Sequence, residues 1–469
     1  MKYIDEEKIN NLLAGCQKPD SGRIESILDK ARTLRRLSLE ESAALLMADE
    51  PAHIRKIFES ASFVKEAIYG KRVVLFAPLY ISNLCVNDCA YCGFRSTNAR
   101  VKRRALTMPE ITGQIEWLLR RGHKRILAVC GEAAPGGMKN IDYYTQAVEA
   151  IYAAKVDKHR IKRVNVNCAP LSVDEFKQLK SSGIGTFQIF QETYHDQTYR
   201  KMHIKGPKSD PDNRITAPDR AFASGIDDIG IGPLYGLYDW RFETLGLLSH
   251  VEHMEQEFNV GPHTISVPRI EPAEGADVSF DPPYRVSDED FKKIVAVLRL
   301  SVPYTGIIMS TRESPAMRDA LIGLGVSQIS AESSTSPGGY SENRARNEAV
   351  PGQQAGSQFS LGDSRSLDEI IGSLISYGYI PSFCAACYRK ERTGEAFMKL
   401  AKPGTIKGKC SMNALITLKE YLDDFASLPV RSAGYKLIAG YSEKLDPGER
   451  EMLKIFFDHV DAGLRDEYV

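Results

Sequence analysis

Val73-Val-Leu-Phe-Ala-Pro-Leu-Tyr80 is an unbroken apolar run that leads, four residues on, into Cys85-Val-Asn-Asp-Cys89-Ala-Tyr-Cys92. The run reads as a strand, and it is the first of a series. Strand-like runs recur near 72–79, 125–130, 162–167, 185–190, 227–232, 263–270, 305–311 and 326–331, with helical segments between most of them. Helix starts are marked by Thr107-x-x-Glu110, Ser172-x-x-Glu175, Ser287-x-x-Asp290, Ser314-Pro315 and Ser366-x-x-Glu369, where a side-chain oxygen can satisfy a free backbone N–H. Gly122, Gly183, Gly325 and Gly378 fit as stops. Eight strands alternating with helices predict an α/β fold, a complete (β/α)8 TIM-type barrel. An open, doubly wound sheet is the structural alternative.

Outward from the barrel, residues 1–70 predict a helical extension, with a capping box at Ser38-Leu-Glu-Glu41 and a stop at Gly70. Residues 71–380 form the expected barrel, and 381–469 a mainly helical, cluster-binding domain with helices near 411–426 and 447–464. Ser333 to Arg365, rich in Ser, Gly, Pro, Asn and Gln, reads as a long and partly mobile loop after the eighth strand.

The three cysteines at 85, 89 and 92 fall in the first strand-to-helix loop, on the face where barrels carry their chemistry. Thiolates at this spacing can hold three corners of a 4Fe–4S cubane and leave the fourth iron open. A structural zinc site is the competing reading, but it wants four ligands, and no further Cys or His lies nearby. A second triplet, Cys384-x2-Cys387-x22-Cys410, again offers three sulfurs. Its last cysteine precedes Ser411, a candidate N-cap whose helix start would favour an anionic centre; zinc stays open here too. Cys16, Cys130 and Cys168 show no spacing signal and read as small buried residues.

The first triplet resembles the signature of the radical S-adenosylmethionine (SAM) superfamily. That resemblance implies SAM on the open iron, Tyr91 against its adenine and Gly131-Glu132 near its ammonium. Here Cys130 replaces the first glycine of the superfamily's Gly-Gly-Glu segment. Glu192 and Arg214 match two further SAM-contacting positions, with a surface ion pair as the plainer alternative for each. Both triplets together with Gly261-Pro-His-Thr-Ile-Ser-Val-Pro-Arg269 resemble the tyrosine lyase that matures the iron-only (FeFe) hydrogenase. The resemblance implies cleavage of the Cα–Cβ bond of L-tyrosine to p-cresol and dehydroglycine. Dehydroglycine then gives carbon monoxide and cyanide at the second cluster, with hydrogenase maturation proteins or the hydrogenase as acceptor. It also implies two 4Fe–4S clusters, the C-terminal one with an extra iron that His263 helps to hold; a core histidine is the alternative. The sister tyrosine lyase of thiamine thiazole synthesis (2-iminoacetate synthase) and a non-catalytic iron–sulfur scaffold are the rival functions.

A zwitterionic substrate in a dry site needs charge partners. Arg312 with Ser330, at the exits of strands seven and eight, is the expected clamp for the carboxylate, and Arg269 competes for the role.

Lys plus Arg equals Asp plus Glu at 61 each, which gives no global field toward nucleic acid. Arg100-Val-Lys-Arg-Arg104 therefore reads as a solvated turn. No G-x-G-x-x-G follows a strand, so a dinucleotide fold has little support. Nine cysteines, no apolar span and no secretory signal at the start predict a cytoplasmic protein without membrane contact.

Overall fold

The computed structural model of the protein describes residues 1–16, 18–341 and 356–469. Eight parallel strands close into a barrel: β1 (Arg72–Ser82), β2 (Arg125–Cys130), β3 (Arg163–Asn167), β4 (Phe187–Gln188), β5 (Ile229–Ile231), β6 (Thr264–Ser266), β7 (Gly306–Met309) and β8 (Val326–Ser330). Closure is made where β1 pairs with β8 on one side (Phe76 with Ser330) and β2 on the other (Ala77 with Ile126). This excludes the open sheet, and every expected strand is present.

β1 is the longest strand and is buried throughout, which explains its unbroken apolar sequence. Its alternate residues Arg72, Val74, Phe76, Pro78 and Tyr80 point inward. One strand face therefore runs from a cation at the lower, N-terminal mouth to a tyrosine at the upper, C-terminal mouth. A ninth strand, β9 (Ile380–Ser382), pairs with Arg72–Val74 at the lower end of β1. It sets the second cysteine group beneath the barrel.

Helices Glu6–Gly15, Ser21–Arg32, Leu39–Met47 and Pro51–Tyr69 precede β1. The last ends at Gly70, whose φ of 61° is left-handed and turns the chain into the strand. The anticipated capping boxes form at Ser38, Thr107, Ser172 and Ser366; Ser287 and Ser314 cap with their hydroxyls.

The C-terminal region differs from expectation. Its long helix spans Ile406–Asp424, so Cys410 lies inside the helix and Ser411 is not an N-cap. The break that starts it is Pro403-Gly404, with Gly404 left-handed at φ 78°. Helix Leu428–Ser442, not foreseen, follows before Pro447–Asp461. Buried Lys124 ties this region to the barrel through Glu420 and, at 3.1 Å, Asp466. Of the partly mobile loop expected from Ser333 to Arg365, residues 342–355 lie outside the described residues. The flanks of that loop pack: Gly93 N–H donates to Gln358 O, and Gln358 N–H to Thr335 O.

Candidate functional site

Two cavities lie along the barrel axis, and each is lined by one cysteine triplet. The upper, of about 1410 Å³, carries Cys85, Cys89 and Cys92 on its wall. Their loop is held from several sides. Asn87 Nδ2 donates to Glu132 Oε2 at 2.6 Å, and its Oδ1 accepts from Lys208 N at 2.9 Å. Arg103, in the basic cluster expected to be solvated, donates instead to the carbonyls of Asn83 and Phe94 at 2.9 and 2.8 Å. Phe94 N–H and the Gln358 amide reach Cys92 Sγ at 3.4 and 3.6 Å. Such donors stabilise anionic sulfur and tune a cluster. Gly131 is required for packing: a Cβ there would collide with the Leu84 carbonyl oxygen. The β2 exit and the cysteine loop could not otherwise touch.

A buried charge network surrounds Tyr91. Arg214 donates to Glu132 at 2.8 Å and to the Phe190 carbonyl at 2.6 Å. Lys208 bonds Glu192 at 2.6 Å, and Tyr91 OH pairs with His203 Nε2 at 2.8 Å. Burial alone would raise the Glu132 carboxyl; Arg214, Lys208 and Asn87 together hold it below its ordinary value. Glu192, at the β4 exit, has a left-handed φ of 70°, a strain that functional sites commonly carry. Tyr91, Gly131, Glu132, Glu192 and Arg214 thus all meet on one wall. Cys168 is buried, as is Cys16, and Cys130 is half-buried; Cys130 and Cys168 also line this chamber.

Arg312 and Ser330 face this chamber from the β7 and β8 exits. The Arg312 guanidinium stacks 3.3 Å from the Phe359 ring centre, and Ser330 Oγ accepts from Thr311 N–H at 3.1 Å. Arg269 does not join them. It turns out of the chamber to Glu313 and, at 2.8 Å, to Asp288. Strand parity accounts for this: Ser266, Pro268 and Ile270 point inward, so Arg269 points outward.

The lower cavity, of about 530 Å³, brings together Cys384, Cys387, Cys410 and His263 with Arg72, Arg125 and Arg163. His263 Nδ1 lies 3.0 Å from Asp228 Oδ1, off the line of a hydrogen bond, and Asp228 in turn pairs with Arg163 at 2.5 Å. Burial keeps this imidazole neutral, down at about 4, against the opposing pull of Asp228. A neutral ring with a carboxylate at one nitrogen is the usual setting of a metal-ligating histidine. Burial raises the Cys410 and Cys387 thiols, and Arg72 acts against it. Arg125 donates to the Cys384 carbonyl at 2.5 Å, and Ala386 N–H reaches Cys384 Sγ at 3.3 Å. The arginine floor was missed by sequence reading. Its signal is that β1, β2 and β3 each begin with an inward arginine.

Among the described residues, no three His, Cys, Asp or Glu side chains converge tightly enough to grip a single ion. Each triplet supplies three sulfurs, one short of the four ligands that a closed zinc site wants. All nine cysteines are free. No helix among the described residues is long and apolar enough to cross a membrane.

Residues 79–246 match the radical SAM superfamily, and residues 266–380 match the biotin and thiamin synthesis associated domain. The whole chain is similar to a solved structure of HydG, a maturase of the FeFe-hydrogenase: 45% identity, TM-score 0.94, 100% of both chains covered. The FeFe-hydrogenase maturase HydG from Carboxydothermus hydrogenoformans follows at 38% identity and TM-score 0.82, covering 96% of this chain and 97% of that one. The 2-iminoacetate synthase of Escherichia coli K12 is 31% identical over 363 residues, 77% of this chain and 90% of its own.

Proposed function

We propose a tyrosine-cleaving activity for this chain, which belongs to the HydG family of FeFe-hydrogenase maturases and is a radical SAM carbon–carbon lyase. In this reading it cleaves the Cα–Cβ bond of L-tyrosine to p-cresol and dehydroglycine in the upper chamber. Carbon monoxide and cyanide for the hydrogenase H-cluster then arise from dehydroglycine at the lower site. The observation that carries the reading is one barrel with a three-cysteine site at each mouth, matched over its full length by HydG.

A 4Fe–4S cluster with SAM, held through Cys85, Cys89 and Cys92, supplies a 5′-deoxyadenosyl radical when bound. The protein's part is to bind, orient and exclude water. Tyr91, Gly131, Glu132, Glu192 and Arg214 receive SAM. Arg312 and Ser330 hold the substrate carboxylate, and the closed barrel shields the reacting atoms from solvent. Cys384, Cys387 and Cys410 would hold a second cluster, with His263 as ligand to an extra iron. Arg72, Arg125 and Arg163 favour the anions gathered there.

Residues 1–70, 71–380 and 381–469 serve in this reading as brace, catalytic barrel and second-cluster domain of a cytoplasmic enzyme. Its product passes to hydrogenase maturation proteins or to the hydrogenase. The related 2-iminoacetate synthase leaves about a quarter of the chain unmatched, which favours the maturase reading. Anaerobic reconstitution with SAM, dithionite and L-tyrosine is the test. p-Cresol, 5′-deoxyadenosine and carbon monoxide together support it, p-cresol alone would favour the thiazole-pathway activity, and neither organic product would favour a scaffold.

A further inference from the structure

Six charged side chains line the upper chamber: Glu132, Glu192, Lys208, Arg214, Glu271 and Arg312. Four of them pair off, Arg214 with Glu132 at 2.8 Å and Lys208 with Glu192 at 2.6 Å. Among the described residues, Arg312 and Glu271 are left with no hydrogen bond or ion pair from their charged groups. Arg312 has only the Phe359 ring. Glu271 follows Ile270, whose N–H is fixed on the Tyr235 carbonyl at 2.9 Å. One lone cation and one lone anion in a shared chamber form a complement to a zwitterion, because a buried charge persists at low cost only with an opposite charge to meet it.

We propose that Glu271 receives the ammonium of the amino-acid substrate and takes a proton from it, so that the amine reacts in its neutral form. This rests on the lyase reading, with Arg312 at the carboxylate. In the step, one N–H bond of the ammonium breaks, its electron pair stays on nitrogen, and an O–H bond forms on the Glu271 carboxylate. The charges go from plus one and minus one to zero and zero. In the lyase reading, family resemblance implies that a hydrogen atom is taken from the amino nitrogen; that is easier from an amine than from an ammonium, so the transfer prepares it.

Burial raises the Glu271 carboxyl to about 7, and Glu313 adds to the effect; Arg312, Arg269 and Arg285 oppose it. Arg269 pairs with Glu313, and Arg285 with Asp281 at 3.9 Å, which leaves Arg312 as the uncompensated charge facing Glu271. An acid tuned to this range suits proton exchange near neutral pH.

The experiment uses the full-length reconstituted enzyme with SAM, comparing wild type, Glu271→Gln and Glu271→Asp between pH 6 and 9. Two ligands are titrated at equilibrium: L-tyrosine and 3-(4-hydroxyphenyl)propanoate, which keeps the phenol and carboxylate but lacks the ammonium. The Gln variant is expected to weaken tyrosine at least about 10-fold and leave the propanoate within about 2-fold. Wild-type kcat/KM for p-cresol rises with pH through about 7; the Gln variant is flat and slow, and the Asp variant regains the slope. Equal weakening of both ligands, or normal p-cresol from the Gln variant, would overturn this assignment alone. Absence of p-cresol from the wild type would overturn the lyase reading, and this assignment with it.

Discussion

The two mouths of the barrel each gather three cysteine sulfurs, but with opposite electrostatics. At the upper mouth the cysteines sit within eight consecutive residues, and Arg214 with Glu132 and Lys208 with Glu192 pair nearby. At the lower mouth the sulfurs come from a strand end and a helix separated by 22 residues. Three arginines gather there, and Asp228 pairs with one of them, Arg163. The upper site holds cations and anions in equal number, three of each, which suits a zwitterion. The lower site, with its three arginines, is biased toward anions. The inward face of β1 carries the gradient, from Arg72 through Val74 and Phe76 to Tyr80, so the apolar middle keeps the two fields apart.

The sharpest way to break this comparison is to remove one sulfur from each end in turn. Cys89→Ser, at the upper triplet, should lower p-cresol, 5′-deoxyadenosine and carbon monoxide together by more than about 10³-fold, since every later step depends on the radical. Retained p-cresol would show that the upper triplet is not the radical-forming site. Cys387→Ser should do less: p-cresol stays within about 2-fold of wild type while carbon monoxide is lost. Unchanged carbon monoxide would remove the division of labour between the ends.

The eight strands were legible because burial imposes apolar runs, and the capping boxes gave the helix starts. The upper triplet was legible because its ligands are contiguous. His263 was reached through resemblance rather than spacing, and it does fall beside the lower cysteines. The arginine floor was illegible because Arg72, Arg125 and Arg163 are 38 to 91 residues apart and meet only when the barrel closes. Likewise the pairing of Lys208 with Glu192 depends on a turn through Gly206, at φ 94°, that no local pattern announces. Arg269 against Arg312 was decidable in principle: strand parity sends one outward and the other inward.

That distinction gives the next prediction. Arg312→Ala should raise the tyrosine KM by about 10- to 100-fold, the loss of a charge-assisted bond of roughly 1.5–3 kcal/mol. Arg269→Ala should leave KM unchanged and lower the melting temperature, because it strands Glu313, which is 2% exposed. If steady-state kinetics reverse the two effects, the clamp belongs to Arg269.

The smallest effect concerns what holds the upper wall in shape. Fully buried Glu243 accepts from Tyr194 N–H at 2.7 Å and bonds the Thr193 hydroxyl, pinning the two residues after left-handed Glu192. Burial raises its carboxyl from 4.5 to about 8. The folded chain therefore keeps a proton there that the unfolded chain releases above about pH 4.5. The stability linked to that proton is present below this value and is lost as pH rises toward 8. Glutamine reproduces the neutral acid, with one oxygen to accept and one N–H to donate, but cannot ionise. The wild type should thus lose more melting temperature between pH 5.5 and 8 than Glu243→Gln, by on the order of a few degrees. Parallel curves would mean that Glu243 is ionised throughout, and that the upper wall is held by a charge, as the lower mouth is.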